Sequence, residues 1–273
     1  MILCKDLNKE FATKEEMFLA IAENRQIIID AKKANKDKSE PISFYSIKAG
    51  LATKADDTPL KFGDYIYPII NTTNYIDTHG DVHIPGIWNK SLKEQAGKIY
   101  YVINHDLEIG KVISYPAEIE ILTKKMKWRE LGKDYNGTTE ALIFKAKVTE
   151  KSNRDAYLAF QAKEAIENSV RMGYVAMTLC VDSKSPDFIN EKENYDYYLP
   201  MIANKEVAEE QGYFWAITEA KIVKEGSAVL FGSNDVTPVL YSLKNIEPLK
   251  STQAEPGRPL KKLNELLNHK NIF

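Results

Sequence analysis

Three short segments hold the residue types that do chemistry. The first is Asp77-Thr78-His79-Gly80-Asp81-Val82-His83-Ile84-Pro85-Gly86. In an extended chain, side chains alternate with a period of two, so Asp77, His79, Asp81 and His83 would share one face. Two imidazoles and two carboxylates on one face form a ligand set for a divalent metal. Gly80 and Pro85 mark a loop instead, which breaks that face and favours a structural or substrate-side role. The second segment is Ile103-Asn104-His105-Asp106, at the end of an apolar strand. Histidine titrates near neutrality, so one at a sheet edge suits a general base; the plainer role is a satisfied structural histidine. The third is Gly173-Tyr174-Val175-Ala176-Met177-Thr178-Leu179-Cys180-Val181. Thr178 and Cys180 lie two apart and point to one face, and either is a nucleophile if a base lies close. Their plain roles are a strand threonine and a small core cysteine.

The elements that must position these residues follow from the pattern. Thr13-Lys14-Glu15-Glu16 fits a capping box and opens a helix that carries Met17, Ile21, Ile28 and Ala31 at helical spacing. The spacing predicts that this helix fades in the charged run 32–38, leaving residues 1–40 as an N-terminal helical arm that either packs or docks a partner. From Pro41 to about Thr149, short β-branched and aromatic runs alternate with Gly, Asn, Asp and Pro, which reads as strands, with one short helix in 86–96. Asn153 to Ser169 reads as a second helix, capped by Asn153 and lined by Ala159, Ala162 and Ile166. Tyr174 to Val181 suits a strand buried on both faces. Residues 184–212 read as a polar insertion with one helical turn at Lys205–Gln211, and Phe214 to Phe231 as strand again. Residues 246–273 form a tail ending in a short amphipathic stretch, Leu260 to Leu267. The expected class is α+β, a mostly antiparallel sheet or barrel flanked by helices, over residues 41–245.

Composition excludes several classes. The chain has 273 residues, with 37 Lys+Arg against 39 Asp+Glu and a formal net charge of −2. A hydrophobic share of 44% is enough for a core, so a wholly disordered chain is excluded. The balanced charge argues against a general nucleic-acid binder. No apolar run approaches the roughly 18 residues that cross a bilayer, and the start lacks the pattern of a secretory signal. Two cysteines, Cys4 and Cys180, exclude a disulfide framework and a thiolate zinc site. A soluble protein of a reducing cytoplasm, without a cofactor, is expected.

Taken together, the segments resemble the prohead (head maturation) proteases of tailed phages. Asp77 to Gly86 resembles their Asp-x-x-Gly-Asp-x-x-x-Pro-Gly segment. A short helix and a strand ending in His-Asp follow, like Ile99 to Asp106, and then a turn like Gly110-Lys111-Val112. Ala176-Met177-Thr178-Leu179-Cys180 resembles the Gly-Met-Ser-Ile-Gly motif. Glu225-Gly226-Ser227-Ala228-Val229-Leu230-Phe231-Gly232-Ser233-Asn234 is similar to the closing Glu-x-Ser-x-Val-x-x-Gly-Ala-Asn. The likeness spans roughly residues 62 to 243.

The resemblance implies a compact barrel similar to the herpesvirus assemblins, and an endopeptidase that cuts scaffold and major capsid protein inside the prohead. It puts the base on His105, the nucleophile on Thr178 and an acid on Glu225, with Asp106 as a competitor for orienting the histidine. Thr178 departs from the family's serine, and its extra methyl stiffens χ1 and crowds a carbonyl. Cys180 replaces the family's glycine and is an alternative nucleophile if a positive neighbour lowers its pKa. Backbone N–H groups, Arg171 or Arg129 would stabilise the oxyanion. The departures leave open a catalytically silent, capsid-associated protein on the same fold. The implied partners are scaffold and capsid protein, with a second copy of the chain possible. The implied location is the host cytoplasm during assembly, then the prohead interior or virion. No membrane or direct nucleic-acid partner is expected.

Overall fold

The computed structural model describes residues 1–34 and 59–243. The elements in order are β1 (Ile2–Cys4), β2 (Lys9–Phe11), α1 (Lys14–Glu23), α2 (Arg25–Ala34), β3 (Tyr65–Thr72), β4 (Asp81–His83), α3 (Asn89–Gln95), β5 (Tyr100–Ile103), β6 (Val112–Ser114), β7 (Ile119–Lys127), β8 (Thr138–Lys147), α4 (Arg154–Gln161), β9 (Glu167–Val181), α5 (Ile189–Tyr198), α6 (Lys205–Gln211), β10 (Tyr213–Val229) and β11 (Val239–Leu240). The class is α+β. Among the described residues the strands form a two-stranded sheet (β1-β2), a four-stranded sheet (β11-β3-β8-β7) and a five-stranded sheet built around β10. The expected closed barrel is not found in this pairing.

Strand β10 organises the larger sheet. Along one edge it pairs antiparallel with β9 for nearly its whole length. Its other edge is shared by two parallel partners, β4 beside Trp215–Ile217 and β5 beside Glu225–Ala228. The chemistry-bearing segments therefore lie at two different ends of one long strand.

The sheets pack across a core of Ile66, Ile70, Tyr101, Phe144 and Trp215. Gly226 sits where β10 passes closest to β8. A Cβ built there would lie 2.7 Å from Phe144 Cε2 and 3.1 Å from Ile70 Cγ2. Gly226→Ala should therefore overpack the core, at about 1–3 kcal/mol, and lower the Tm by roughly 2–12 °C. An unchanged melting curve would contradict this close approach.

Residues 1–34 are not a detachable arm. Thr13 caps α1, its Oγ1 accepting from Glu16 N at 3.2 Å as the sequence predicts. The single expected helix breaks at Asn24, whose side-chain amide donates to Ala20 O. Met17, Phe18, Ile21 and Ile28 belong to the main core. Four such side chains are worth roughly 6–12 kcal/mol of burial, comparable with a domain's whole net stability.

Two further expectations are corrected. The helix predicted over 153–169 stops at Gln161. Lys163 takes a left-handed φ of 53°, and the chain then enters β9 at Glu167. The polar region 184–212 holds two helices, α5 and α6, and α5 packs on β9. The Leu260–Leu267 stretch and most of the charged run 32–38 lie outside the described residues.

Candidate active site

The pairing of β5 with β10 fixes where His105 sits. Asn104 N–H donates to Ala228 O, carrying the pairing one residue past β5. Asn104 and His105 then both adopt left-handed backbone, φ 51° and 57°, and the chain turns back so that Asp106 bridges Ile103. Such residues cost about 1–2 kcal/mol each, although Asn and His tolerate the region better than most. The turn is held in place by the buried Ser227 hydroxyl, which accepts from His105 N–H at 2.7 Å and donates to Val102 O at 3.2 Å.

The imidazole meets a carboxylate there. His105 Nδ1 lies 2.7 Å from Glu225 Oε1, and Glu225 is fully buried. A carboxylate oxygen accepts, so in this contact Nδ1–H is the donor and Nε2 is turned away from Glu225. A break in the β9–β10 register between Ile222 and Gly226, with Lys224 at φ 68°, delivers Glu225 to this spot. Bulges commonly re-aim side chains in this way. Arg171 of β9 completes the cluster: its Nε donates to Glu225 Oε1 at 3.0 Å and its Nη2 to the His105 carbonyl. Glu225 Oε2 is buried without a hydrogen-bond partner.

Of the two acids considered, Glu225 is the one on the ring. Asp106 accepts the Glu108 N–H at 3.0 Å within its own turn. Thr178 and Cys180 are not brought to His105, which corrects that expectation. They pair with Ala216 and Phe214, near the β4 end of β10. Thr178 lies seven residues along β9 from Arg171 (171 to 178), about 23 Å of strand at ~3.3 Å per residue. Cys180 is buried, and that burial pushes its thiol well above the ordinary range, so it is a core thiol. Arg129 pairs with Asp134 on an exposed loop.

By strand register, Ser169 carries a second hydroxyl on this face. It is the cross-strand partner of Ser227 and lies two residues from Arg171 on the same strand. Directly paired residues of antiparallel strands project to the same side, as do residues two apart. Ser169 therefore shares a face with Ser227, which holds the His105 backbone, and with Arg171, which holds Glu225. Ser169 is part-exposed. Among the exposed large apolar residues are Ile109 (85%) and Phe231 (68%), in the segments that follow His105 and β10.

The Asp77–His83 segment is a hydrogen-bonded relay. Asp77 Oδ1 accepts from the backbone N–H groups of His79 and Asp81. His83 lies between Asn71 at 2.8 Å and Tyr174 at 3.4 Å, and Tyr174 O–H donates to Asp81 at 2.9 Å. Asp81 and Asp6 pair with Lys32 of α2 at 2.7 and 3.0 Å. Burial lowers the His83 pKa and raises that of Asp81 to about 6, with Lys32 opposing the rise. The hydrogen bond to Asp77 raises His79. No group of three or more His, Cys, Asp or Glu that could hold a metal ion occurs among the described residues.

Compared with protein-family models, curated proteins and solved structures, the chain finds no match in any of the three. No helix among the described residues is long and apolar enough to cross a membrane. A functional reading therefore has to rest on the site.

Proposed function

We propose that the chain is a serine endopeptidase of head-maturation type, acting on scaffold and capsid protein, with Ser169 as nucleophile, His105 as base and Glu225 as orienting acid. The observation that carries this is the buried Glu225 carboxylate on His105 Nδ1, on the sheet face that also bears Ser169. It supplies a serine where the motif comparison had offered only a threonine. On this reading the two larger sheets are the two sides of an assemblin-like barrel, and the chain works inside the prohead.

These three groups carry the bond-making and proton-transfer steps. Ser169 Oγ attacks the peptide carbonyl while His105 Nε2 takes its proton. Glu225 holds the tautomer and balances the imidazolium. The ring returns the proton to the leaving amine, an acyl-serine remains, and water activated by the same ring releases it.

The test is the purified full-length chain, treated with a fluorophosphonate and separately mixed with scaffold and capsid protein. Phosphonylation of Ser169 and cleavage, both lost in His105→Ala, support the reading. Neither labelling nor cleavage would overturn it in favour of a catalytically silent, capsid-associated protein.

A further inference from the structure

We infer that Arg171 is the positioning residue of this site, joining the backbone of the base to the carboxylate that orients it. The inference rests on the hydrolase reading above. His105 is held by contacts from three directions. Ser227 takes its N–H, Glu225 takes its Nδ1–H, and Arg171 donates to its carbonyl. Arg171 is the only one of these that also grips another of them, through Nε to Glu225 Oε1.

The geometry makes this double grip consequential. Asn104 and His105 are both left-handed, a backbone that relaxes unless its surroundings fix it. The Glu225 carboxylate is anchored through one oxygen alone, since Oε2 has no hydrogen-bond partner. Without Arg171, Glu225 would keep only the imidazole itself, and the His105 carbonyl would lose its donor. Either loss lets the ring swing relative to Ser169. A guanidinium suits the task because its planar fork serves two acceptors set at a fixed angle; an ammonium is a single point charge. Arg171 is thereby assigned a task other than the oxyanion.

The test compares full-length wild type with Arg171→Met, Arg171→Lys and Arg171→Met/Glu225→Gln, the last leaving no uncompensated carboxylate if the first fails to fold. Cleavage of a peptide spanning a cut bond is resolved into kcat and KM. Arg171→Met should lower kcat about 100-fold, the cost of misplacing a catalytic group by roughly 1 Å, with KM within about twofold. Arg171→Lys should recover only a small part of that loss. The Nδ1–H proton resonance of His105, assigned by its absence in His105→Ala, should be sharp in wild type and lost to solvent exchange in Arg171→Met. A folded Arg171→Met or double variant that keeps kcat and the resonance overturns the inference, as does full recovery by lysine, which would make charge sufficient. If wild type neither cleaves nor labels, the hydrolase reading fails, and the resonance alone still decides whether Arg171 fixes the ring.

Discussion

Ser169→Ala is expected to lower peptide cleavage by about 10⁴-fold or more and to abolish fluorophosphonate labelling, while Thr178→Ala and Cys180→Ala each stay within about twofold of wild type. The first half follows from the loss of the only bond-forming atom: no neighbouring group replaces a covalent nucleophile. The second half follows from register. Thr178 pairs with Ala216 beside β4, whereas His105 follows β5 and touches Glu225 and Ser227 at the other end of β10. A base acts over hydrogen-bond distance or through one water, and the intervening length of β9 is far longer than either. Cys180 is further handicapped by burial, which keeps its thiol protonated. Cleavage assays on the three variants, with melting curves to show that each is folded, decide the matter. Should Thr178→Ala lose activity while Ser169→Ala retains it, the register argument and the assignment both fall.

The route by which the sequence misleads here is specific. The resemblance pairs the motifs of His105 and Glu225, and the fold brings these two side chains together. The choice between Glu225 and Asp106 is not legible, since it depends on a left-handed turn and a bulge with no periodic signature. Ser169 is hidden by the reading of 153–169 as one helix. Ala162, Lys163 and Glu164 are good helix formers, and local propensity there opposes the pairing of β9 with β10, which wins. A signal was present nonetheless. The long strand predicted for Phe214 to Phe231 needs a partner of similar length, and Tyr174 to Val181 is less than half of it. Extending that partner backwards through Gly173 brings Ser169 onto the sheet. The N-terminal segment misleads for a different reason: amphipathic spacing shows that a face is buried, not against what. The closing of a barrel is likewise a matter of which edges meet, which alternation alone does not encode.

Lys32→Met is expected to cost about 3–5 kcal/mol at neutral pH, the price of leaving buried carboxylates without their cation. The Lys32 side chain is 12% exposed, and those of Asp6 and Asp81 are 7% and 3% exposed. Methionine keeps the aliphatic stem, so the change isolates the charge. The loss should depend on pH in a fixed direction. Burial, opposed by Lys32, raises Asp81 to about 6, above its ordinary carboxylate value. A carboxyl raised in this way contributes stability that is fully present below about pH 4 and lost as pH rises through about 6. Below about pH 5, Asp81 is protonated in wild type and variant alike, and Lys32 there has only Asp6 to neutralise. The substitution therefore costs least in acid and most near pH 8. Asp77 is lowered, because its hydrogen bond and charge attraction to His79, the charge of His83 and the Asp81 N–H together outweigh burial, and His83 is lowered by burial, so both withdraw stability as pH falls. Both act in either protein, and they largely cancel when wild type and variant are compared at one pH. Urea unfolding of the pair at pH 5 and pH 8 gives that difference directly. A difference that is flat, or larger at pH 5, would show that Lys32 does not hold Asp81. The consequence for the site is structural: Lys32 pins the segment that becomes β4, and β4 lies against the same strand, β10, that presents Glu225. The helix far from His105 and Glu225 in sequence thus helps fix the strand that carries Glu225.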